Sequence, residues 1–290
     1  MAEQLRGKLV VERIAADLAP RIEALGRADI VPTLAIVRMG ERPDDLSYER
    51  TAKKRAESLG IAVRSVVLDE FAPQEALEAA LHEVNHDPSV HGCLLFRPLP
   101  AFIDDARACE VLDPRKDVDG ITLASLAAVF TDGHAGFPPS TAAACIEMLE
   151  HYGVPLEGRH VVVVGRSLVV GKPVSMMLLR RNASVTVCHS RSNDLAGICR
   201  SADIVICATG RARAFDSDYF ASGQTVLDVG INFDTHGNLC GDVDFDRVEP
   251  IVGAITPVPG GIGTVTTSMT MAHTVAAAER ALAERGGEGR

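Results

Sequence analysis

The segment of residues 160–173 constrains the fold more than any other, because it joins an apolar run to a glycine-containing turn. Its four consecutive valines are typical of a strand buried in a parallel sheet. Gly165 ends the predicted strand, and residues 171–179 are predicted to form a helix with Pro173 in its first turn. This order favours binding of a pyrophosphate by the free N–H groups and dipole of the helix. The turn lacks the G-x-G-x-x-G spacing, so an ordinary strand-to-helix turn stays an alternative.

A hydroxyl and a guanidinium group follow the next predicted strand. Residues 183–187 are predicted to form that strand, which is followed by Cys188-His189-Ser190-Arg191. Chains that bind NAD usually place Asp or Glu here, where it accepts from the ribose 2′-OH. Arg166 adds a second guanidinium inside the glycine turn, and guanidinium groups match the geometry of phosphate. The three side chains predict a 2′-phosphate and hence NADP, although Arg191 alone could be a solvated loop charge.

Composition excludes several classes of protein. The chain has 290 residues, 47% of them hydrophobic, which is enough for a large core and predicts two domains. Its formal net charge of −10 argues against a nucleic-acid binder. The seven cysteines lack C-x-x-C pairs and zinc-like spacing, so we expect buried free thiols in a reducing compartment and no metal site. Without a signal-peptide segment or a long apolar run, we expect a cytoplasmic protein with no membrane association.

Short apolar runs alternate with helical patterns, which predicts α/β architecture with parallel sheets. The strands predicted in the first half are residues 33–37, 61–67 and 90–96. The helices predicted there are one with Ile14, Leu18, Ile22 and Leu25 on one face, then residues 47–59 and 75–84. Residues 131–139 are a predicted linker, followed by a helix over 141–152. Residues 257–263 are predicted to be irregular, and a long helix over 266–284 closes the chain.

Four separated motifs carry a family resemblance. They are Lys116-Asp117-Val118-Asp119-Gly120, Gly165-Arg166-Ser167 with Gly171-Lys172-Pro173, Asp228-Val229-Gly230-Ile231-Asn232, and Ile255-Thr256-Pro257-Val258-Pro259-Gly260-Gly261-Ile262-Gly263. In this order they resemble the bifunctional methylenetetrahydrofolate dehydrogenase/methenyltetrahydrofolate cyclohydrolase family, over residues 7–280. The resemblance implies a substrate domain over residues 1–138 and a Rossmann-type NADP-binding domain over 139–265. It also implies a C-terminal helix over 266–290 that returns to the first domain, a tetrahydrofolate derivative as substrate, and a homodimer.

The same resemblance assigns roles to individual residues. The implied catalytic residues are Tyr48 and Asp119, with Asp119 holding the pterin ring. The implied cofactor-binding residues are Gly165, Arg166, Ser167, Gly171, Ser190, Arg191 and Ile231. Among them, Arg166 and Ser190 would contact the 2′-phosphate and Ile231 would lie near the nicotinamide. The implied substrate-binding residues are Tyr48, Phe96, Asp119, Pro257, Gly260 and Gly261. For Asp119, a structural role as a helix or turn cap is the alternative.

Two departures from the family pattern concern the hydrolytic chemistry. The family carries Tyr-x-x-x-Lys, whose lysine is credited with the cyclohydrolase reaction, and here Ala52 follows Tyr48 at that spacing. Lys53 and Lys54 come next, but successive helical residues turn by about 100°, so neither shares the face of Tyr48. Phe96 stands where the family has the glutamine that hydrogen-bonds the lysine. A third and milder departure is Pro139-Ser140-Thr141-Ala142 where the family has Pro-Cys-Thr-Pro, and a fourth is Thr264 where the family has proline.

The two half-reactions have different needs. Hydride transfer depends on apposition and exclusion of water, whereas hydrolysis of the methenyl bridge needs a group that takes a proton from water. We therefore expect NADP-dependent oxidation of 5,10-methylenetetrahydrofolate to the methenyl form, with weak or absent cyclohydrolase activity. One alternative is a fully bifunctional enzyme in which another group replaces the lysine. Another is a family member that oxidises a different substrate or only binds a ligand.

Overall fold

The computed structural model describes residues 1–287. Its strands are β1 (Glu3–Gln4), β2 (Thr33–Met39), β3 (Ala62–Leu68), β4 (Gly92–Leu95), β5 (His160–Val164), β6 (Ser184–Cys188), β7 (Ile204–Cys207), β8 (Thr225–Asp228), β9 (Asn232–Phe233), β10 (Leu239–Cys240) and β11 (Ala254–Ile255). Its α-helices are α1 (Gly7–Arg27), α2 (Pro43–Leu59), α3 (Gln74–His86), α4 (Asp105–Val111), α5 (Leu123–Thr131), α6 (Ser140–His151), α7 (Gly171–Leu179), α8 (Leu195–Arg200), α9 (Phe245–Val248) and α10 (Ile262–Gly287).

The chain divides into two compact units. One, called here the N-unit, comprises residues 13–140 and the C-terminal segment from Thr267. Its sheet has the order β3-β2-β4 with parallel pairing throughout. Every residue of β4 is buried, as are six of the seven in β2, as is typical of strands in parallel sheets that are covered on both faces. Its core includes Val37, Leu77, Leu81, Leu95 and Leu112.

The other unit, called here the C-unit, comprises residues 1–12 and 141–266. Its parallel sheet has the order β1-β11-β8-β7-β5-β6. The four valines of β5 are each completely buried, as the continuous apolar run predicts. The N-terminal segment supplies the edge strand β1, which pairs with β11. Since β5 lies between β6 and β7, the strand order reverses at β5.

The predicted fold class is confirmed: the fold is α/β, with two units and parallel sheets, and α10 belongs to the N-unit from Thr267 onward. The seven cysteines are buried and free, as expected. Residues 1–12 group with the C-unit, whereas the predicted substrate domain begins at residue 1. Residues 288–290 of the predicted closing helix lie outside the described residues. No helix within residues 1–287 is long and apolar enough to cross a membrane.

One expectation was wrong at the start of α10. Residues 257–263 were predicted to be irregular, but Ile262 and Gly263 already belong to the helix. The N–H of Thr264 donates to the Gly261 carbonyl at 3.1 Å, and the Ile262 side chain is buried. The first helical residues need no intrahelical acceptor for their N–H groups, so a glycine there is tolerated.

Candidate functional site

The glycine turn after β5 opens at the point where the strand order reverses, outside the carboxyl ends of β5 and β7. A Cβ on Gly165 would lie 2.3 Å from the Ala208 carbonyl oxygen, just beyond β7. A Cβ on Gly171 would lie 2.2 Å from the Gly165 oxygen. Any larger residue would separate the turn from the helix or from the neighbouring loop. The Ser167 hydroxyl oxygen accepts from the Val170 N–H at 3.1 Å and closes the turn before α7.

The three side chains predicted to bind the 2′-phosphate lie at the ends of adjacent strands. Val164 pairs with Cys188 in the sheet, and the Gly165 N–H donates to the Cys188 carbonyl at 2.9 Å. This register brings Arg166 and Ser190, each two residues beyond the paired positions, to the same edge, with Arg191 next to Ser190. All three are exposed, and within residues 1–287 their side chains make no hydrogen bond or ion pair.

Two buried carboxylates hold the loops at the carboxyl ends of β7 and β8. Asp242 accepts hydrogen bonds from the N–H groups of Thr209, Gly210 and Arg211, from the Thr209 hydroxyl, and from the Asn232 side chain. Asp228 accepts from the N–H groups of Gly230, Asp242 and Val243. Burial raises the pKa of Asp228 to about 7, against the effect of those donors. The crevice therefore has loops fixed by interior hydrogen bonds.

Ile231 and the proline-glycine loop also belong to the C-unit. The Ile231 side chain is 63% exposed, and its Cδ1 atom would lie 3.2 Å from a Cβ on Gly263. Pro257, Gly260 and Gly261 lie between β11 and α10, and the Gly260 carbonyl accepts from the Gly7 N–H at 2.8 Å. These three predicted substrate residues are thus in a different unit from Tyr48, Phe96 and Asp119.

In the N-unit the structure brings Tyr48, Phe96 and Asp119 together. The rings of Tyr48 and Phe96 are 5.3 Å apart, centroid to centroid, and inclined by 38°. Burial, followed by the charge of Asp119, raises the pKa of Tyr48 to about 12. The side chains of Thr267 and Thr270 on α10 act in the opposite direction, as hydrogen-bonding groups that lower the pKa of Tyr48. A phenol, an aromatic wall and a carboxyl group therefore share one site.

The carboxyl group of Asp119 has an unusually high pKa. Burial, and then the charge of Asp117, raise the pKa of Asp119 to about 7. A hydrogen bond with Ser140 and the charge of Arg97 act in the opposite direction. Asp117 has a structural role, since it accepts from the N–H groups of Ile121 and Thr122 and, at 2.6 Å, from the Ser125 hydroxyl.

Sequence reasoning missed the hydroxyl groups around this site. Ser140 was noticed only as a departure from the family pattern, and Thr267 and Thr270 were not singled out. Thr270 Oγ1 donates to Ser140 Oγ at 3.2 Å, across 130 residues of sequence. The only signal in the sequence is the i, i+3 spacing of the two threonines, which places them on one face of a helix. Their partners could not be identified without the fold.

The departure at position 52 is visible in the structure. Ala52 is completely buried on α2, whereas Lys53 and Lys54 are exposed, as their helical positions predict. The Lys53 ammonium pairs with Glu49 at 2.7 Å, and Glu49 also pairs with the buried Arg38 at 2.7 Å. Burial opposes ionisation of Glu49, but hydrogen bonds from Lys53, Ser65 and Arg38 outweigh it and lower its pKa to about 2. The Lys53 ammonium therefore lies in an ion pair with Glu49.

Comparison with known proteins gives a consistent result for both units. Residues 5–119 match the family described as the tetrahydrofolate dehydrogenase/cyclohydrolase catalytic domain. Residues 139–282 match the NAD(P)-binding domain of the same family. The matched ranges contain the Tyr48–Asp119 site and the glycine turn, respectively.

Individual relatives are similar to this chain over nearly their whole length. The bifunctional protein FolD of Carboxydothermus hydrogenoformans is 49% identical over 96% of this chain and 98% of its own. The crystal structure of the FolD methylenetetrahydrofolate dehydrogenase/cyclohydrolase of Campylobacter jejuni is 35% identical, with a TM-score of 0.94, and covers 97% of this chain and 99% of its own. The Trypanosoma brucei FolD structure, complexed with NADP and an inhibitor, is 33% identical, with a TM-score of 0.91, 97% coverage of this chain and 98% of its own. The chain therefore belongs to the tetrahydrofolate dehydrogenase/cyclohydrolase family.

Proposed function

We propose that the protein oxidises 5,10-methylenetetrahydrofolate to the methenyl form with NADP as the hydride acceptor. The observation that carries the cofactor assignment is the set of exposed, unpaired donors on Arg166, Ser190 and Arg191 at the edge of the crevice. A 2′-phosphate would give these donors their counter-charge, and it is the group that distinguishes NADP from NAD. The related Trypanosoma brucei enzyme was solved with NADP, which supports the same cofactor.

The crevice in the C-unit has suitable chemistry for the rest of the cofactor. The pyrophosphate would lie against the glycine turn and the N-terminus of α7, where backbone N–H groups meet its charge. The exposed Ile231 would cover the nicotinamide with an apolar surface. Loops anchored on Asp228 and Asp242 would hold the ring without reorganisation during hydride transfer. NADP supplies the hydride chemistry, and these residues orient it.

The N-unit site is assigned to the folate. The aromatic pair of Tyr48 and Phe96 would form a wall for the pterin ring. Asp119 would accept hydrogen bonds from the N–H groups of the pterin edge, because a carboxyl group presents two acceptors in one plane. The donors of the ring would also compensate for the burial that makes ionisation of Asp119 costly.

A second candidate function is the full bifunctional activity, with hydrolysis of the methenyl bridge as well. The names of the relatives favour it over loss of the cyclohydrolase half, because the curated relatives at 44–49% identity are called bifunctional FolD. Ala52 and Phe96 lack the chemistry of the family's lysine and glutamine, so the proton of the attacking water would need another acceptor in this chain.

One experiment tests both candidates with the same purified protein. NADPH formation from methylenetetrahydrofolate is followed in one assay, and decay of added methenyltetrahydrofolate is followed in another. NADPH formation with fast methenyl decay supports bifunctionality, whereas NADPH formation with accumulation of the methenyl form supports loss of the hydrolytic half. Absence of NADPH formation would contradict the proposed function.

We also infer the roles of the two units and the state of assembly. The substrate domain of the family is assigned to the N-unit, with α10, and the cofactor domain to the C-unit. A homodimer is expected from the resemblance to the family. Sedimentation equilibrium over a tenfold range of protein concentration would test it, and a constant mass of one chain would contradict it.

A further inference from the structure

A cavity lined mainly by cationic side chains lies at the amino ends of β2 and β4, within the N-unit. Its volume is about 280 Å³. The charged side chains that line it are Arg115, Lys116, Arg280, Arg285 and Glu284, and the His91 ring lines it as well. The cations therefore outnumber the single carboxylate. The whole chain has a net charge of −10, so the charge of this cavity is opposite to that of the protein.

This cavity is separate from the site of Tyr48, Phe96 and Asp119, none of which lines it. His91 directly precedes β4, whereas Phe96 directly follows it. A strand advances by about 3.3 Å per residue, so the two ends of this segment are about 16 Å apart. The two places are joined along the chain, because Lys116 lines the cavity and comes three residues before Asp119.

His91 presents a hydrogen-bond donor without an acceptor to this cavity. Only 6% of the residue is exposed. The Thr33 N–H donates to His91 Nδ1 at 3.2 Å, so the proton of the neutral ring is on Nε2. Nε2 makes no hydrogen bond within residues 1–287, and Ser268 Oγ is the only fully buried side-chain N or O atom there that lacks a partner. The Nε2–H of His91 is therefore open to the cavity, and its acceptor must come from a bound molecule.

The electric potential at His91 is positive. Burial, and then the charges of Lys116 and Arg285, lower the pKa of His91, which keeps the ring neutral. The carboxylate that acts in the opposite direction is Asp87, and Asp87 is itself paired with Arg64. A positive potential inside a recess attracts anions and raises their local concentration.

Two of the neighbouring cations keep donors after their own contacts within the chain. Lys116 Nζ donates to the carbonyls of Val84 and Asp87 at 2.8 and 2.7 Å, which uses two of its three N–H groups. Arg285 donates one of its five N–H groups to the Pro88 carbonyl at 3.1 Å. Neither side chain has an ion pair in the part of the chain that the structure describes. Both charges can therefore be neutralised by a ligand.

The other two arginines already have partners. The Arg280 guanidinium lies 4.2 Å from the centroid of the Phe137 ring. Arg115 pairs with Asp113 at 2.6 Å and with Glu284 at 3.6 Å. These two side chains add positive charge to the cavity but are not needed as donors.

We propose that this cavity binds a phosphate group whose oxygens accept from the Nε2–H of His91, the ammonium of Lys116 and the guanidinium of Arg285. A phosphate group carries about −1.5 to −2 charges near pH 7 and several acceptor oxygens, which matches two unpaired cations and one neutral donor. A carboxylate would neutralise only one of the cations. Ligand sites have volumes of about 300–1,000 Å³, so a cavity of about 280 Å³ suits free phosphate or a small phosphate ester.

Isothermal titration calorimetry of the full chain with inorganic phosphate, at constant ionic strength, tests the site. Wild type should bind phosphate saturably, and Arg285→Ala should weaken binding about tenfold or more. His91→Asn keeps an acceptor for the Thr33 N–H but removes the donor, and should weaken binding similarly. Arg107→Ala is the matched control, because Arg107 is an arginine of the same unit that pairs with Glu78 outside the cavity. It should leave the affinity unchanged.

A second control addresses the glycine turn of the C-unit, which is also proposed to bind phosphate groups. Arg166→Ala should leave the affinity for inorganic phosphate unchanged. Binding that is lost in Arg166→Ala but kept in Arg285→Ala would place the phosphate at the glycine turn and overturn the proposal. Absence of saturable binding, or equal affinities of wild type and Arg285→Ala, would also overturn it. Arg285 is exposed, so this variant should fold even if His91→Asn does not.

Two further probes identify the source of the phosphate group. Tighter binding of glycerol 3-phosphate than of inorganic phosphate would support a phosphate ester as the ligand, and weaker binding would support free phosphate. Acetate should not bind at the same concentration, and acetate that binds as tightly as phosphate would contradict the requirement for a doubly charged anion. None of these measurements depends on the enzyme's activity, so their outcome is independent of the proposed function.

Discussion

The ring of Phe96 lies 5.3 Å from the ring of Tyr48, centroid to centroid, at an inclination of 38°. By the family resemblance, Phe96 stands at the position of a glutamine, so an aromatic contact lies beside Tyr48 where the family pattern has a polar group. The neighbouring departure is Ala52, which is completely buried one helical turn after Tyr48. Both positions are apolar and buried in this chain.

The double change Ala52→Lys with Phe96→Gln tests what this exchange means for hydrolysis. If the hydrolytic half was lost with the lysine, the double variant should hydrolyse methenyltetrahydrofolate at least about tenfold faster than wild type. If another group of this chain already accepts the proton of water, wild type is competent and the gain should be less than about threefold. Each single variant serves as a control, because a lysine without its orienting amide is poorly placed.

Arg166→Ala should weaken NADP binding selectively. The exposed guanidinium has no partner within residues 1–287, so its loss removes contacts to the 2′-phosphate and little else. Hydrogen bonds to charged groups contribute about 1.5–3 kcal/mol, so we expect the KM for NADP to rise about tenfold or more. The KM for NAD should change little. Arg159→Ala is the control, since Arg159 precedes β5 at its other end and pairs with Asp203; equal effects on both cofactors in Arg166→Ala would refute the role.

Asp119→Asn should lower folate turnover but not stability at alkaline pH. The pKa of Asp119 is raised from 3.8 to about 7 in the folded protein, so its contribution to stability is present below pH 3.8 and is lost as pH rises through 7. Asparagine does not ionise, so the Asp119→Asn variant does not lose stability as the pH rises through 7. The Tm of the variant minus that of wild type should therefore be larger at pH 8 than at pH 4. NADP affinity should be nearly unchanged. A large fall in Tm with unchanged folate affinity would instead indicate a structural cap.

Substitution of Glu49 should lower the free energy of unfolding far more than substitution of Lys53. Glu49→Gln leaves the buried Arg38 without its carboxylate, and breaking a buried ion pair costs about 3–5 kcal/mol. Since the pKa of Glu49 is lowered to about 2, this stabilisation is present above pH 4.5 and is lost as pH falls toward 2. Lys53→Ala removes a half-exposed side chain and should lower the free energy of unfolding by about 1 kcal/mol or less. Urea unfolding measures both. Loss of hydrolysis in Lys53→Ala would show that Lys53 reaches the substrate.

The parts of the fold and site that could be predicted are those encoded in short stretches of sequence. The apolar run of β5, the glycine turn and the proline of α7 lie within fourteen residues, and each has a local physical cause. Arg166 and Ser190 could be joined by reasoning because parallel strands end at the same edge. The helical period alone predicts that Tyr48 and Ala52 lie on the same face of α2.

The parts that could not be predicted depend on contacts between distant segments. Thr270 meets Ser140 across 130 residues, and Asp242 reaches the loop after β7 across more than thirty. A single threonine or aspartate carries no sign of its distant partner, and buried polar residues violate the pattern by which burial is inferred. The start of α10 was missed because its glycines resemble those of a loop.

The edge strand β1 has a consequence for dissecting the protein. Residues 3 and 4 pair with β11, although they are more than two hundred residues away in sequence. A recombinant fragment cut at residue 139 would therefore lack one margin of the six-stranded sheet, and β11 would present its unpaired N–H and C=O groups to other molecules. Such a fragment should self-associate. Adding a synthetic peptide of residues 1–12 should restore monodispersity. Residues 1–12 would then keep the C-unit from aggregating, although the rest of that unit begins only at residue 141.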